Sequence, residues 1–214
     1  VNNVWRREER QADANTFFQG SWQKDATDAY SLRVMAKYAN YHTHYQNRDT
    51  TTMTVDNRYR QQEAYLSSSH AVRLLPWLSA SMAYDVRYST LTADTYTCPE
   101  PRRWEHLVSL ATAVALKQLS AQASMLYTYA KDSGKEAANG TTPVGAGMKV
   151  SRLTPALFFS YYPLNTRCLS LRGYVKHSFR MPTFNDLYYT SMGNSNLAPE
   201  KALQYDLGIQ YDKQ

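Results

Sequence analysis

The most restrictive feature of this chain is a strict two-residue alternation kept over long runs. Leu78, Ala80, Met82, Tyr84, Val86 and Tyr88 interleave with Ser79, Ser81, Ala83, Asp85, Arg87 and Ser89. Val108, Leu110, Thr112, Val114 and Leu116 interleave with Ser109, Ala111, Ala113 and Ala115, and Leu119–Tyr129 and Leu169–Phe179 repeat the pattern. Period two puts one set on each face of a strand, whereas a helix needs apolar spacings of three and four. The alternation predicts nine strands, at 16–24, 29–46, 57–73, 77–91, 103–116, 119–130, 150–162, 167–179 and 202–212. Residues 1–15 are polar and charged and read as a loop.

The connections between these runs alternate in length. They are short at 25–28, 74–76, 117–118 and 163–166, and long at 47–56, 92–102, 131–149 and 180–201. Tight turns at one end and long loops at the other are the arrangement of an antiparallel transmembrane barrel. No run of about eighteen apolar residues exists, so a membrane-spanning helix is excluded. The chain carries eighteen tyrosines beside six phenylalanines and four tryptophans. Tyrosine and tryptophan collect where one end of a side chain is greasy and the other wet. Trp22, Tyr30, Trp77 and Tyr161 fall near the turns, and Tyr38, Tyr88, Tyr127 and Tyr129 near the loops, as two interfacial girdles require.

The expected fold is therefore all-β, an antiparallel transmembrane β-barrel seen in part. Nine strands are an odd count for a bacterial barrel, which closes with an even number. No signal peptide is present, Val1 is not a start residue, and a strand pattern runs to the last residues. Residues 1–214 read as one piece of a single, larger barrel domain. The net charge of +6 comes from basic residues spread at strand spacing. They form no dense patch in sequence, so nucleic acid is not an expected partner.

The chain's last third carries Phe179-Arg180-Met181-Pro182-Thr183-Phe184-Asn185-Asp186-Leu187-Tyr188-Tyr189. Gly193-Asn194-Ser195-Asn196-Leu197-Ala198-Pro199-Glu200 follows, and then the strand through Tyr205-Asp206-Leu207-Gly208. Pro182 and Pro199 lack an amide donor and belong in a loop. This order of fixed residues resembles the TonB-dependent outer-membrane receptors, with Asp186, Ser195 and Asp206 as mild departures from the usual pattern. Phe179, Arg180, Pro182, Leu187, Tyr188, Asn194, Leu197, Pro199 and Glu200 carry the likeness.

The resemblance implies active uptake of a scarce nutrient of the ferric siderophore, heme or cobalamin class across a bacterial outer membrane. It implies energy from an inner-membrane complex through the TonB protein, and a plug domain that this chain does not contain. Alternative readings are a passive porin or adhesin barrel, or a soluble β-domain that binds carbohydrate. Given the barrel, Asp85, Arg87, Arg172, Lys176 and Arg180 are expected to face its lumen, where they meet a plug or an anionic ligand.

Catalytic, metal and cofactor signals are missing. Serine, histidine and aspartate occur, but no nucleophile elbow, metalloprotease helix or phosphate loop does. His42 and His44 share a strand face, yet two ligands without a third make a poor metal cage. No histidine lies between the Phe179 and Asn194 boxes, which weakens a heme reading. Gly145-Ala146-Gly147 lacks the helix a dinucleotide site needs. Cys98, in a long loop, and Cys168, beside a short turn, belong to opposite ends of the strands and are expected to be free thiols. Cys98 is expected to be the more accessible.

Overall fold

The computed structural model describes residues 9–48, 54–95, 98–135, 147–164, 168–188 and 193–211. Nine strands follow one another as β1 (Glu9–Thr27), β2 (Tyr30–Asn47), β3 (Val55–Leu75), β4 (Leu78–Ala93), β5 (Arg102–Ala115), β6 (Leu119–Ser133), β7 (Lys149–Tyr161), β8 (Leu169–Arg180) and β9 (Glu200–Tyr211). One short helix, α1 (Phe184–Tyr188), stands between β8 and β9. The strands form a single antiparallel sheet in chain order. Every strand pairs with its sequence neighbours, the meander that tight hairpin turns dictate. The sheet is open, with β1 and β9 at its edges, and it is part of a barrel wall.

Register fixes the two faces. Met82 stands opposite Leu110, and Leu110 opposite Met125. Ala123 stands opposite Leu157, Leu157 opposite Val175, and Val175 opposite Tyr205. With Val114, Phe159 and Leu171, which share that parity, these residues make one apolar face. Met82, Leu110, Met125, Leu157 and Val175 are all exposed on it. The other face carries Ser81, Ala111, Ser124, Ala156, Lys176 and Gln204 in one continuous cross-strand row. It also carries α1, and is called the α1 face below.

Aromatic residues bound the apolar band. Phe18 faces Tyr38, and Tyr88 faces Trp104, at the loop end, with Tyr127 and Tyr129 beside them. Trp22, Tyr30 and Tyr161 lie at the turn end. Tyr30 and Tyr38 are eight residues apart on β2. At about 3.3 Å per residue and a tilt near 40°, the two rows are about 20 Å apart along the barrel axis. That suits an apolar belt about 25 Å tall. His70 and His106 sit within this face, and each is held by a phenol, Tyr30 at 2.7 Å and Tyr84 at 2.8 Å.

Two local features interrupt the regular wall. Gly173 lies opposite Phe159. A Cβ there would come within 2.9 Å of the Phe159 ring and 3.0 Å of the Asp206 carbonyl oxygen. Glycine lets the ring cross the strand, as aromatic side chains do over sheet glycines. The β7–β8 ladder ends at Ala156–Lys176, one residue after Pro155, which cannot donate a ladder hydrogen bond. Beyond it β7 pairs only with β6, and β8 only with β9.

The sequence expectations fail in two places. Residues 9–15 belong to β1 and are paired with Tyr41–Asn47; residues 1–8 lie outside the described residues. This part of β1 extends beyond the apolar band, where both faces are wet, so no hydrophobic alternation marks it. The second failure is the stretch 180–201, expected as loop, which contains α1.

The facing assignment is tested by one adjacent pair. Val114→Arg puts a charge on the apolar face and is expected to cost about 2–4 kcal/mol in a folding assay in lipid. Ala113→Arg, on the opposite face, is expected to be nearly neutral. Equal costs for the two would refute the assignment.

Candidate functional site

α1 forms because Thr183-Phe184-Asn185-Asp186 is a capping box. The Thr183 amide donates to Asp186 Oδ2 at 2.8 Å, and the Asp186 amide donates to Thr183 Oγ1 at 3.2 Å. Two amide donors at the start of the turn are thereby satisfied reciprocally. These bonds, the backbone amide first, hold the Asp186 carboxyl below the usual carboxylate range. Pro182, just before the cap, ends the β8 ladder. The Asn194 amide donates to the Asp186 carbonyl at 2.8 Å. The Asn194 side chain in turn accepts from the Asn196 amide at 3.0 Å, an Asx turn. Residues 182–188 and 193–197 are thus held together.

What α1 folds against is a buried ion pair on the α1 face. The tight turn between β5 and β6 sets a register that places Arg103 opposite Asp132. Arg103 Nε and Nη2 each donate to an Asp132 carboxylate oxygen at 2.7 Å. Its Nη1 donates to the Pro182 carbonyl at 2.6 Å. Arg103 is 6% exposed and Asp132 1%, so this bidentate contact operates with water excluded. The guanidinium also lies 5.0 Å from the centre of the Phe184 ring. Phe184 completes a small core with Leu91 and Tyr59, and Cys98, Ala93 and Tyr188 pack on its margin. Burial and the nearby Asp132 charge push the Tyr188 phenol up to about 12.

Beside this core a cleft of about 310 Å³ opens between Asp13, Tyr41, Thr43, Gln61 and Asn185. Its polar groups are pre-positioned: Thr43 donates to the Asp13 carboxylate at 2.7 Å, and Gln11 at 2.9 Å. A second cleft, about 410 Å³, lies on the same face toward the turn end and is lined by Gln122, Phe158, Arg172, Tyr174 and Asp206. Both are concave, with a few polar groups convergent on an open space, and can hold a polar molecule or a protein side chain without covalent chemistry.

The family-motif residues are largely brought together. Pro182 and Leu187 are buried in the folded segment, and Tyr188 is half-buried. Arg180 is exposed and meets Asp186 at 3.4 Å and Glu200 at 3.9 Å. Phe179 is on the apolar face opposite Lys201. Leu197 and Glu200 are exposed, and Pro199 is half-buried. Tyr189 lies outside the described residues.

Asp85, Arg87, Arg172, Lys176 and Arg180 all share the α1 face but do not cluster. Arg87 pairs with Glu105 at 3.4 Å, Lys176 lies 5.8 Å from the Tyr174 ring centre, and one Asp85 oxygen is buried without a hydrogen-bond partner.

Other expectations resolve individually. His42 bonds Asn40 at 2.9 Å and His44 bonds Asp56 at 2.6 Å, so the two rings serve separate partners. Among the described residues no three His, Cys, Asp or Glu side chains converge as a metal site. Both cysteines are free. Cys98, expected to be accessible, is half-buried against the Leu91 core, and burial raises its thiol pKa. Gly145 and Ala146, with most of the 131–149 loop, lie outside the described residues.

Arg103, Asp132, Leu91 and Tyr59 carry the site yet have no local motif. Only hairpin register could have joined Arg103 to Asp132. The capping box, by contrast, was readable as Thr-x-x-Asp after a proline.

Arg103→Ala leaves a buried carboxylate unpaired and is expected to cost about 3–5 kcal/mol. The exposed Arg180→Ala should cost about 0–1 kcal/mol. Thermal unfolding in detergent and limited proteolysis at 181–199 measure both. A 181–199 segment as protease-resistant in Arg103→Ala as in the parent would show that the ion pair does not hold α1.

No curated protein sequence matches this chain. Among solved structures it is similar to the copper transporter OprC, with 12% identity and a TM-score of 0.69 over 93% of this chain and 36% of that one. It is also similar to the ferric citrate transporter FecA in its unliganded form, with 14% identity and a TM-score of 0.67 over 97% of this chain and 33% of that one. At such identities the likeness shows the fold, and the chain spans about a third of either structure. The family model described as TonB dependent receptor-like, beta-barrel, matches residues 2–214. With its motif folded as one unit at the loop end of a strand wall, the chain belongs to the TonB-dependent receptor β-barrel family.

Proposed function

We propose that this chain is part of the barrel of an outer-membrane receptor that takes up a scarce nutrient of the ferric siderophore, heme or cobalamin class. In this reading the apolar face meets lipid, the α1 face lines the lumen, and the long connections face outward. The remaining strands and a plug domain complete the receptor, and the TonB protein and its inner-membrane complex supply the energy. The chain itself does no covalent chemistry and serves as wall, lumen lining and ligand-facing loops.

The observation that carries this reading is the family-motif segment folded onto the α1 face and clamped by Arg103–Asp132. A passive pore has no need of a structured segment packed across its mouth. The cleft between Asp13, Tyr41, Gln61 and Asn185 stands beside that segment, where an incoming ligand meets the wall. Deeper on the same face, Arg172 and Asp206 flank the second cleft and suit contact with a plug. The names of the two similar structures, a copper and a ferric citrate transporter, support a metal-containing cargo.

The test is uptake by cells that express the whole receptor as their sole route for labelled ferric siderophores, heme or cobalamin. One of these classes is expected to accumulate only when the inner-membrane energy source is intact. Exchanging loop 131–149 for that of a relative is expected to change the cargo preference and leave assembly unchanged. Accumulation indifferent to the energy source would refute active transport, and unchanged preference after exchange of all four long loops would refute the role of the loops.

A further inference from the structure

Cations that look scattered in the sequence are gathered by the strand register. Arg58, Arg60, Arg102, Lys131, Lys149 and Lys201 all fall on the apolar face at its loop end. The pairs His44–Arg58, His42–Arg60, Trp104–Lys131, Lys131–Lys149 and Phe179–Lys201 trace them across the wall, and Arg102 is two residues beyond Trp104 on β5. Each stands beside or just beyond the aromatic row of Tyr38, Tyr88, Trp104 and Tyr129, and each is exposed.

Their pairing sets them apart from four cations of the other face, although Arg172 and Lys176 there likewise meet no carboxylate among the described residues. On the α1 face Lys37, Arg87, Arg103 and Arg180 each meet a carboxylate, at 3.6, 3.4, 2.7 and 3.4 Å. None of the six does so among the described residues. Arg60 donates to the Asn40 side chain at 3.1 Å, and the Lys149 ammonium lies 5.8 Å from the Tyr129 ring centre. Two acids are near the belt. Asp56 is engaged by His44 at 2.6 Å and Gln46 at 2.9 Å, and Asp94 accepts the Arg58 backbone amide at 2.8 Å. At the turn end, Lys24 is the one cation on the apolar face of the described strands.

An apolar band with unpaired cations along a single rim is complementary to a surface that is greasy below and anionic above. Long Lys and Arg stems lie along the wall while their heads reach the interface. We propose that this belt binds the phosphate groups of the outer-leaflet lipid headgroups. The proposal rests on the outer-membrane reading above and adds a lipid class to it. Arg102, Lys131 and Lys149, on three successive strands, form the centre of the site, and a headgroup with more than one phosphate spans them. Trp104 and Tyr129 fix the depth at which those heads emerge.

The whole receptor, purified in neutral detergent, is reconstituted into phosphatidylcholine vesicles with or without bis-phosphorylated lipid A. Heat-modifiable gel mobility reports barrel insertion, and native mass spectrometry counts retained lipid A. Each cation near an anionic surface contributes roughly a fivefold gain in binding. The combined R102Q, K131Q and K149Q variant is therefore expected to bind lipid A at least tenfold more weakly. Lys24→Gln should bind as the parent does, and K131R with K149R should retain binding. Lipid A stripped of its phosphates should bind as weakly as the triple variant, and inorganic phosphate should not compete at millimolar concentration. An inserted triple variant that holds lipid A as tightly as the parent overturns the belt, as does equal binding of dephosphorylated lipid. Failure of the parent to insert at all overturns the outer-membrane reading instead.

Discussion

Backbone hydrogen bonding between neighbouring strands is the constraint on which this structure depends. In the outer-membrane reading proposed above no water reaches the apolar band, so each amide and carbonyl there needs a partner on the neighbouring strand. A meander of adjacent antiparallel strands meets that demand with short turns, and the eight consecutive ladders do so except between β7 and β8 beyond Ala156–Lys176. The same ladders dictate everything that side chains can do. They send Leu110, Met125 and Val175 to one face and Arg87, Arg172 and Lys176 to the other, and they turn scattered cations into a belt. Where a ladder stops, at Pro155, the residue responsible has no amide to offer.

The mouth obeys different physics. Arg103 and Asp132 are expensive to bury singly, and together they are tolerated because each guanidinium nitrogen donates a hydrogen bond and both carboxylate oxygens accept one. Two guanidinium donors go to the carboxylate and a third to the Pro182 carbonyl. Phe184 then covers the guanidinium face, which keeps water from the pair. The polar clamp therefore specifies where the motif segment sits, while Leu91, Tyr59, Met181 and Leu187 supply the apolar burial. A hydrophobic pair at 103 and 132 could fill the space but could not hold the Pro182 carbonyl.

Most of the wall was legible because one apolar face and one polar face impose a period on the sequence. Leu78–Tyr88 announces its facing without reference to any other strand. Glu9–Asn15 does not, since a strand wet on both faces has no hydrophobic period to read. The motif residues Arg180, Pro182 and Asp186 were legible as a motif, yet their architecture was not. A capping box one turn long is easily taken for loop, although Thr183 and Asp186 have the required spacing. Arg103–Asp132 was the least legible, because neither residue means anything until register joins them. The cation belt hid for the same reason: in sequence the six residues are spread from position 58 to position 201.

Wall and mouth are also separable, and that separation bears on how such a receptor can work. Among the described residues no backbone–backbone hydrogen bond ties 181–188 to the strands; the connection is made by side chains. The Arg103–Pro182 contact bridges 79 residues of sequence. It can form only after the β5–β6 hairpin and β8 are both in place, whereas each ladder closes between neighbours. Moving α1 therefore breaks one clamp and uncovers one small core without opening any ladder of the wall. In the receptor reading proposed above, a ligand that contacts Asn185 beside the Asp13 cleft meets the segment held by this clamp and not the ladders of the wall.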